Sequence, residues 1–265
     1  MLRLTVLGRA GAAPLAGACP CYAVSGGMGT VLLDCGPGAL ERVWRTGLLA
    51  ELEAIVVSHM HADHILDLVP FSGELVAAQL VGRRPRLLVP REDGPRVLAA
   101  LDAAFSRGGE GPTRFERVFD LGEYDADDRL ELGGLGITFA ASAHAQPCFA
   151  ARVSDGRGAL VYGADGAPGH AVAELARGAD LLLLEATYAE DVASAAAQGH
   201  MTAGQAGALA REAGARRLLL THLVPGEAER VQSIAEAAFG ARVELAREGF
   251  EVELGRPSPW AAPMG

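Results

Sequence analysis

A dense run of metal-ligand side chains follows directly on a short apolar strand, and this junction constrains the fold more than any other part of the chain. Residues 52–58, LEAIVVS, are β-branched and apolar enough to form a buried strand. The next six residues are His59, Met60, His61, Ala62, Asp63 and His64, which hold three of the chain's seven histidines. A backbone that leaves a strand still extended sends residues two apart to the same side, so His59 and His61 can grip one ion together. Asp63 and His64 then start a helix through LDLVPFSGELVAAQL, whose first turn points them elsewhere. That geometry favours two adjacent metals over one. Imidazole nitrogen and carboxylate oxygen without thiolate suit zinc and tolerate manganese or iron. A solvated His-rich loop or an expression tag is the plain alternative, but tags are terminal and uniform, whereas this run is internal.

The rest of the composition bounds the setting. A length of 265 residues with 50% hydrophobic content fits one large α/β domain, assigned to residues 1–255, with 256–265 (RPSPWAAPMG) as a loosely held tail. The formal net charge of −10 repels polyanions, so long nucleic acid is not an expected partner. Arg83, Arg84, Arg86 and Arg91 form the nearest basic patch and read as a solvated edge. Cys19, Cys21, Cys35 and Cys148 form no C-x-x-C pair and point to a reducing compartment; Cys19 and Cys21, which flank Pro20, read as small apolar filler, with metal binding as the alternative. The opening MLRLTVLG alternates like a strand rather than a signal peptide, and no apolar stretch reaches membrane-spanning length. The expected setting is therefore cytoplasmic, with no membrane contact, and a homodimer is left open.

Strand-like runs at LRLTVLG, TVLLDCG, LEAIVVS, RLLVP, GITFAAS, CFAARV, GALVYGAD, ADLLLLEA, ARRLLLTH and FEVEL alternate with helical runs such as PGALERVWRTG, PRVLAALDAAF, HAVAELARG, TAGQAGALAREAG and ERVQSIAEAAFG. A block of strands from 129 to 165 interrupts the alternation. Such a mixture fits an α/β fold in which two sheets pack face to face with helices outside, an αββα sandwich, although a doubly wound sheet satisfies the pattern alone. Neither G-x-G-x-x-G opening a helix nor a P-loop occurs, so a nucleotide-phosphate loop is unsupported. A metal pair needs more ligands than the first cluster provides. His144, Asp165 and His222 each follow a predicted strand, and strand ends that converge on one rim are where α/β enzymes build sites.

With these residues in view, the chain resembles the metallo-β-lactamase superfamily, in the branch of RNase Z and related phosphodiesterases. The resemblance runs through LTVLGRAG, TVLLDCGPGAL, SHMHADHILDL, SAHAQPCFAARV, LVYGADG, LLLLEATYAEDV and GHMTAGQAGALAREAGARRLLLTHLVP. It implies that His59, His61 and His144 hold one metal, that Asp63, His64 and His222 hold the other, and that Asp165 bridges two Zn2+ (or Mn2+ or Fe). It further implies a metal-bound hydroxide as nucleophile, with His200 and Asp63 as catalytic groups and Glu185 orienting His200. Without the family match, His200 reads as a neighbour of a helix capped by Thr202. His170 has no counterpart and reads as an exposed helix start.

Two departures shape the expected activity. Asp165 stands in Tyr-Gly-Ala-Asp-Gly where the family more often shows Ser-Gly-Asp-Thr, so hydrogen bonding from those hydroxyls is expected to be lost. His144 and Asp165 are close in sequence, whereas RNase Z commonly inserts a tRNA-grasping arm between them. The expectation is a binuclear metal-dependent phosphodiesterase acting on a small or cyclic nucleotide-type substrate. The alternatives are an acyl hydrolase (thioesterase, lactonase or β-lactamase-like), a tRNA 3′-processing endonuclease, and a non-catalytic metal-binding protein. Specificity is expected to depend on loops such as 85–122.

Overall fold

In the computed structural model, residues 1–12, 14–27, 29–80, 82–106 and 111–255 are described; the tail predicted at 256–265 lies outside them. The first sheet contains β1 (Leu2–Gly8), β2 (Cys21–Gly26), β3 (Gly29–Leu33), β4 (Leu52–Val56), β5 (Arg86–Pro90) and β6 (Asp120–Tyr124). The second contains β7 (Arg129–Leu132), β8 (Leu135–Ala141), β9 (Phe149–Ser154), β10 (Ala159–Tyr162), β11 (Leu181–Glu185), β12 (Leu218–Thr221) and β13 (Val243–Leu245). The last strand, β14 (Glu251–Leu254), returns to the first sheet and pairs with β1. Among the described residues each sheet has seven strands, in the orders β14-β1-β2-β3-β4-β5-β6 and β13-β12-β11-β10-β9-β8-β7.

Alternation along the strands builds the layers. Leu2, Leu4 and Val6 of β1, Val31 and Leu33 of β3, and Leu181 and Leu183 of β11 join one core between the sheets. Their neighbours Leu7, Leu32, Leu182 and Leu184 face the other way, under helices. Both faces are thus covered, which is why β11 and β12 read as unbroken leucine runs. The result is the expected αββα sandwich. Its outer helices are α1 (Ala39–Thr46), α2 (Ala62–Ile65), α3 (Leu68–Phe71), α4 (Glu74–Gln79) and α5 (Gly94–Phe105) in the first half, then α6 (His170–Leu175), α7 (Val192–Gln198), α8 (Ala203–Glu212) and α9 (Ala228–Phe239).

The long helix expected after Asp63 is instead three short ones. Pro70 lacks a backbone donor, and Gly73 is extended (φ −80°, ψ 158°), so the stretch cannot stay helical across 66–80. In the basic patch Arg83, Arg84 and Arg91 are exposed and engaged with Glu53, Asp120 and Asp125, whereas Arg86 is half-buried at the start of β5. All four cysteines are free thiols and buried. Among the described residues no helix is long and apolar enough to cross a membrane.

Strand direction determines where the site lies. Strands β3, β4 and β5 are parallel, and β1 runs the same way because both it and β3 are antiparallel to β2. In the second sheet β8, β10, β11 and β12 likewise share one direction. Their C-terminal ends carry Asp34, the run from His59 to His64, His144, Asp165, Glu185 and His222.

Helices α8 and α9 pack at a point where only glycine fits: a Cβ on Gly207 would lie 2.5 Å from the backbone oxygen of Ala235 and 2.9 Å from Ala238 Cβ. Backbone cannot rotate aside, so Gly207→Ala must push α9 away, a strain of about 1–3 kcal/mol against a helix-propensity gain of about 1 kcal/mol. The expected outcome is a lower melting temperature by differential scanning calorimetry; a melting temperature at or above the parent's contradicts this packing.

Candidate functional site

The histidine run departs from β4 as predicted. His61 is extended (φ −68°, ψ 149°), and α2 then carries Asp63 and His64. The structure places His59 Nε2 3.1 Å and His144 Nε2 3.0 Å from His61 Nδ1. On the other side His222 Nε2 lies 3.2 Å and His64 Nε2 3.6 Å from Asp63 Oδ2. Asp165 sits between the groups, its Oδ2 3.3 Å from His222 Nε2, 3.4 Å from His64 Nε2 and 3.9 Å from His59 Nε2. Three nitrogens on one side, and two nitrogens with a carboxylate on the other, thus flank a single buried oxygen.

The rings are fixed by what their outer nitrogens hold, and the hydrogen-bond network assigns the tautomers. His64 Nδ1 donates to Asp34 Oδ2 at 2.7 Å. Ser58 Oγ gives its proton to Asp34 Oδ2 at 2.9 Å and so accepts from His59 Nδ1 at 3.0 Å. His144 Nδ1 donates to the Gly199 carbonyl at 2.7 Å. Thr187 Oγ1 donates to Glu185 Oε2 at 2.5 Å and accepts from His222 Nδ1 at 2.8 Å. With one proton held outside on Nδ1, each of these four rings turns its Nε2 to the centre, where that nitrogen can give its lone pair to a cation in place of a second proton.

Two buried carboxylates organise this outer layer. Asp34, fully buried after β3, accepts from Ser58 N, Ser58 Oγ, His64 Nδ1 and the Tyr162 hydroxyl. Glu185, fully buried at the end of β11, accepts from Gly166 N at 2.7 Å and His200 Nδ1 at 2.8 Å through Oε1 and holds Thr187 through Oε2. His200 stands beside the centre, its Nδ1 3.9 Å from Asp165 Oδ2. Its loop is anchored by a reciprocal cap in which Thr202 Oγ1 accepts from Gln205 N and Gln205 Oε1 accepts from Thr202 N.

Residues 163 and 166 are glycines, and a serine just after β8 reaches the Asp165 loop instead. Ser142 Oγ donates to the Asp165 carbonyl at 2.8 Å, and a Cβ on Gly166 would fall 1.9 Å from Ser142 Oγ. Glycine at 166 makes room for the serine, whose hydroxyl bonds the Asp165 backbone and not its carboxylate. Asp34, Ala164 and His222 also have φ of 62°, 55° and 56°, a left-handed conformation that non-glycine residues adopt at a cost. All three lie at strand ends against the site.

The electrostatics favour positive charge at the centre. Burial disfavours charge on His64, yet Asp165 and Asp34 hold its pKa well above the usual imidazole value. Burial likewise opposes charge on His222 and His200, but Asp165 and Asp63 raise the first, and Glu185 with Asp165 raises the second. Asp165 stays ionised: burial pushes its pKa up, but His222 and His64 bring it well below the carboxylate range. Burial and the neighbouring His64 keep His59 well below its usual value. Metal cations compete with protons for such lone pairs.

The donor set fits metal ions. The groups His59, His61 and His144, and Asp63, His64 and His222, each bring ligand atoms within 4.8 Å of one another. Among the described residues the buried Nε2 of His64 has no hydrogen-bond partner, an orphan that a metal bond would satisfy. His170 is exposed at the start of α6, away from these sets. The sequence reading did not single out Asp34, Ser58, Thr187, Ser142 or Tyr162. Asp34 carried the signal that exposed Asp165, a carboxylate directly after a buried strand.

The chain matches the family model described as β-lactamase superfamily domain over residues 29–223. The probable metallo-hydrolase YhfI of Bacillus subtilis is 30% identical over 251 residues, covering 94% of this chain and 98% of the relative. The crystal structure of YhfI superposes with a TM-score of 0.83 at 28% identity, covering 96% of this chain and 100% of that one. A ribonuclease Z of Methanosarcina acetivorans is 29% identical over 305 aligned positions, covering 96% of this chain and 98% of the relative. That alignment is longer than the 265 residues of this chain, so the archaeal protein carries inserted segments that this chain lacks.

Asp34 is the test of the outer layer. Asp34→Asn keeps the size but removes the charge facing His64 Nδ1. It is expected to weaken zinc affinity, measured by competition with a chelator, about 10–100-fold; an unchanged affinity would detach Asp34 from the site.

Proposed function

This chain belongs to the β-lactamase superfamily, in the branch of YhfI and ribonuclease Z, and is a metal-dependent hydrolase; we propose that it cleaves small phosphodiesters, of the cyclic nucleotide type. The observation that carries this reading is the Glu185–His200 pair beside Asp165. Ester oxygens of alcohols leave phosphorus as poor anions, and a positioned imidazole can protonate them. His200 lies outside both triads, and its Nδ1 is held by Glu185, so Nε2 is the nitrogen left to give that proton.

His59, His61 and His144 would hold one ion and Asp63, His64 and His222 the other, with Asp165 between them. Two divalent cations, zinc by the nitrogen and oxygen donors, would supply charge to the phosphoryl oxygens and lower the pKa of water. The chain's own residues do the rest. Asp34, Ser58, Thr187 and the Gly199 carbonyl keep the ring protons on the outer nitrogens. Ala12 N, 2.8 Å from Asp63 Oδ2, holds that carboxylate in place. Glu185 orients His200 and stabilises the imidazolium before the proton is passed on.

The small-substrate part rests on the loops and charge. Between β9 and β10 the chain makes only a tight turn at 155–158, closed by Asp155 Oδ1 accepting from Arg157 N and Gly158 N. The interval from His144 to Asp165, where RNase Z commonly inserts its tRNA-grasping arm, is thus short, and the net charge of −10 opposes binding of a long polyanion.

Removing the proton donor must hurt most where the leaving oxygen is most basic. His200→Ala is expected to slow cyclic AMP hydrolysis roughly 10²–10⁴-fold and to affect bis-p-nitrophenyl phosphate far less, because nitrophenolate leaves without a proton. Equal losses on the two substrates contradict the role of His200. Turnover of a thioester or nitrocefin without either phosphodiester overturns the substrate class.

A further inference from the structure

Among the described residues His200 has three ring neighbours: His144 at 5.1 Å between centroids, His222 at 5.5 Å and Tyr188 at 6.4 Å. The two histidines belong to the ligand sets, whereas Tyr188 has no task in the mechanism above. Its backbone is pinned to the segment that carries His200. The Tyr188 carbonyl accepts from Ala203 N at 2.9 Å, its N–H donates to Met201 O at 3.4 Å, and a parallel bridge joins it to Thr202. The backbone that carries the ring is therefore held to the His200 segment.

Its surroundings set Tyr188 apart from the other tyrosines. Tyr22, Tyr124 and Tyr162 are buried, and their hydroxyls bond Thr221, Val57 O and Asp34. Tyr188 is half-buried, and among the described residues its hydroxyl has no hydrogen-bond partner. That oxygen is not among the sealed orphan atoms, which are His64 Nε2 and Gln146 Nε2, so it opens to solvent. A phenol with an apolar face, a free polar tip and a rigid backbone is suited to meeting a ligand.

We propose that Tyr188 is a specificity-determining residue that lies against the organic group on the leaving oxygen and makes the site prefer phosphodiesters whose leaving group is a ring. The inference rests on the phosphodiesterase reading. An oxygen that takes its proton from His200 must come within about 2.6–3.2 Å of the donor. The group it carries then lies beside one of the three rings around His200. Tyr188 is the one ring of the three outside the ligand sets, so it is the surface left for that group.

Methyl phenyl phosphate carries its only ring on a basic leaving oxygen that needs the His200 proton, and dimethyl phosphate carries no ring. In the metal-loaded enzyme, Tyr188→Leu is expected to raise KM for the first roughly 3–10-fold, the worth of one aromatic contact. The inhibition constant of dimethyl phosphate should not move, and Tyr188→Phe should restore KM. A structural role for Tyr188 would shift both ligands alike. The unsubstituted protein gives a second measurement through 3-fluorotyrosine: the residue 188 resonance, identified with Tyr188→Phe, should move on adding methyl phenyl phosphate and stay still with dimethyl phosphate. An unmoved resonance, or an unchanged KM in Tyr188→Leu while the parent hydrolyses the diester, overturns the role of Tyr188 alone. Failure of the parent to hydrolyse any phosphodiester overturns the phosphodiesterase reading and this proposal with it.

Discussion

A neutral imidazole can offer one nitrogen to a metal only while its proton is kept on the other, and the rest of this site depends on that constraint. Asp34, Ser58, the Gly199 carbonyl and Thr187 each occupy an outer Nδ1, which leaves the Nε2 atoms of His64, His59, His144 and His222 turned toward the centre. None of these partners would meet a metal ion directly. Without them the rings could turn or change tautomer, and five inward-facing histidines would no longer define a single geometry.

The constraint also explains the burial pattern. A fully buried carboxylate is costly unless every oxygen is engaged. Asp34 and Glu185 meet that condition by accepting bonds that tie separate segments together. Asp34 joins β3 to the histidine run and, through Tyr162, to the opposite sheet. Glu185 joins β11 to the Asp165 loop, to His200 and, through Thr187, to His222. The sheets thus meet at the rim through polar bonds and below it through leucine, valine and aromatic packing. Left-handed backbone at Asp34, Ala164 and His222 lies where these ties are densest.

How much of this was legible in the sequence follows from distance along the chain. The cluster from His59 to His64 was readable because its ligands are adjacent, and strand ends exposed His144, Asp165 and His222 because each polar residue breaks an apolar run. The outer partners were not readable, since Asp34 meets His64 and Tyr162 only after two sheets have packed. Among the strands, β2 follows a Gly- and Ala-rich stretch that masks it. Strand β6 is an edge with little apolar pattern, and β13 is only three residues long. The helix α7, VASAAAQ, is built of small residues with no apolar stripe. Conversely, the break at Pro70 and Gly73 was present in the sequence, where apolar periodicity outweighed it.

The central claim is that a two-metal centre spanned by Asp165 carries out the hydrolysis. Its most direct test is to titrate chelator-stripped protein with zinc while following bound metal and hydrolysis of bis-p-nitrophenyl phosphate on the same samples. The account predicts saturation at two ions per chain, with turnover appearing as they bind. Saturation at one ion, or turnover that survives complete metal removal, would contradict it.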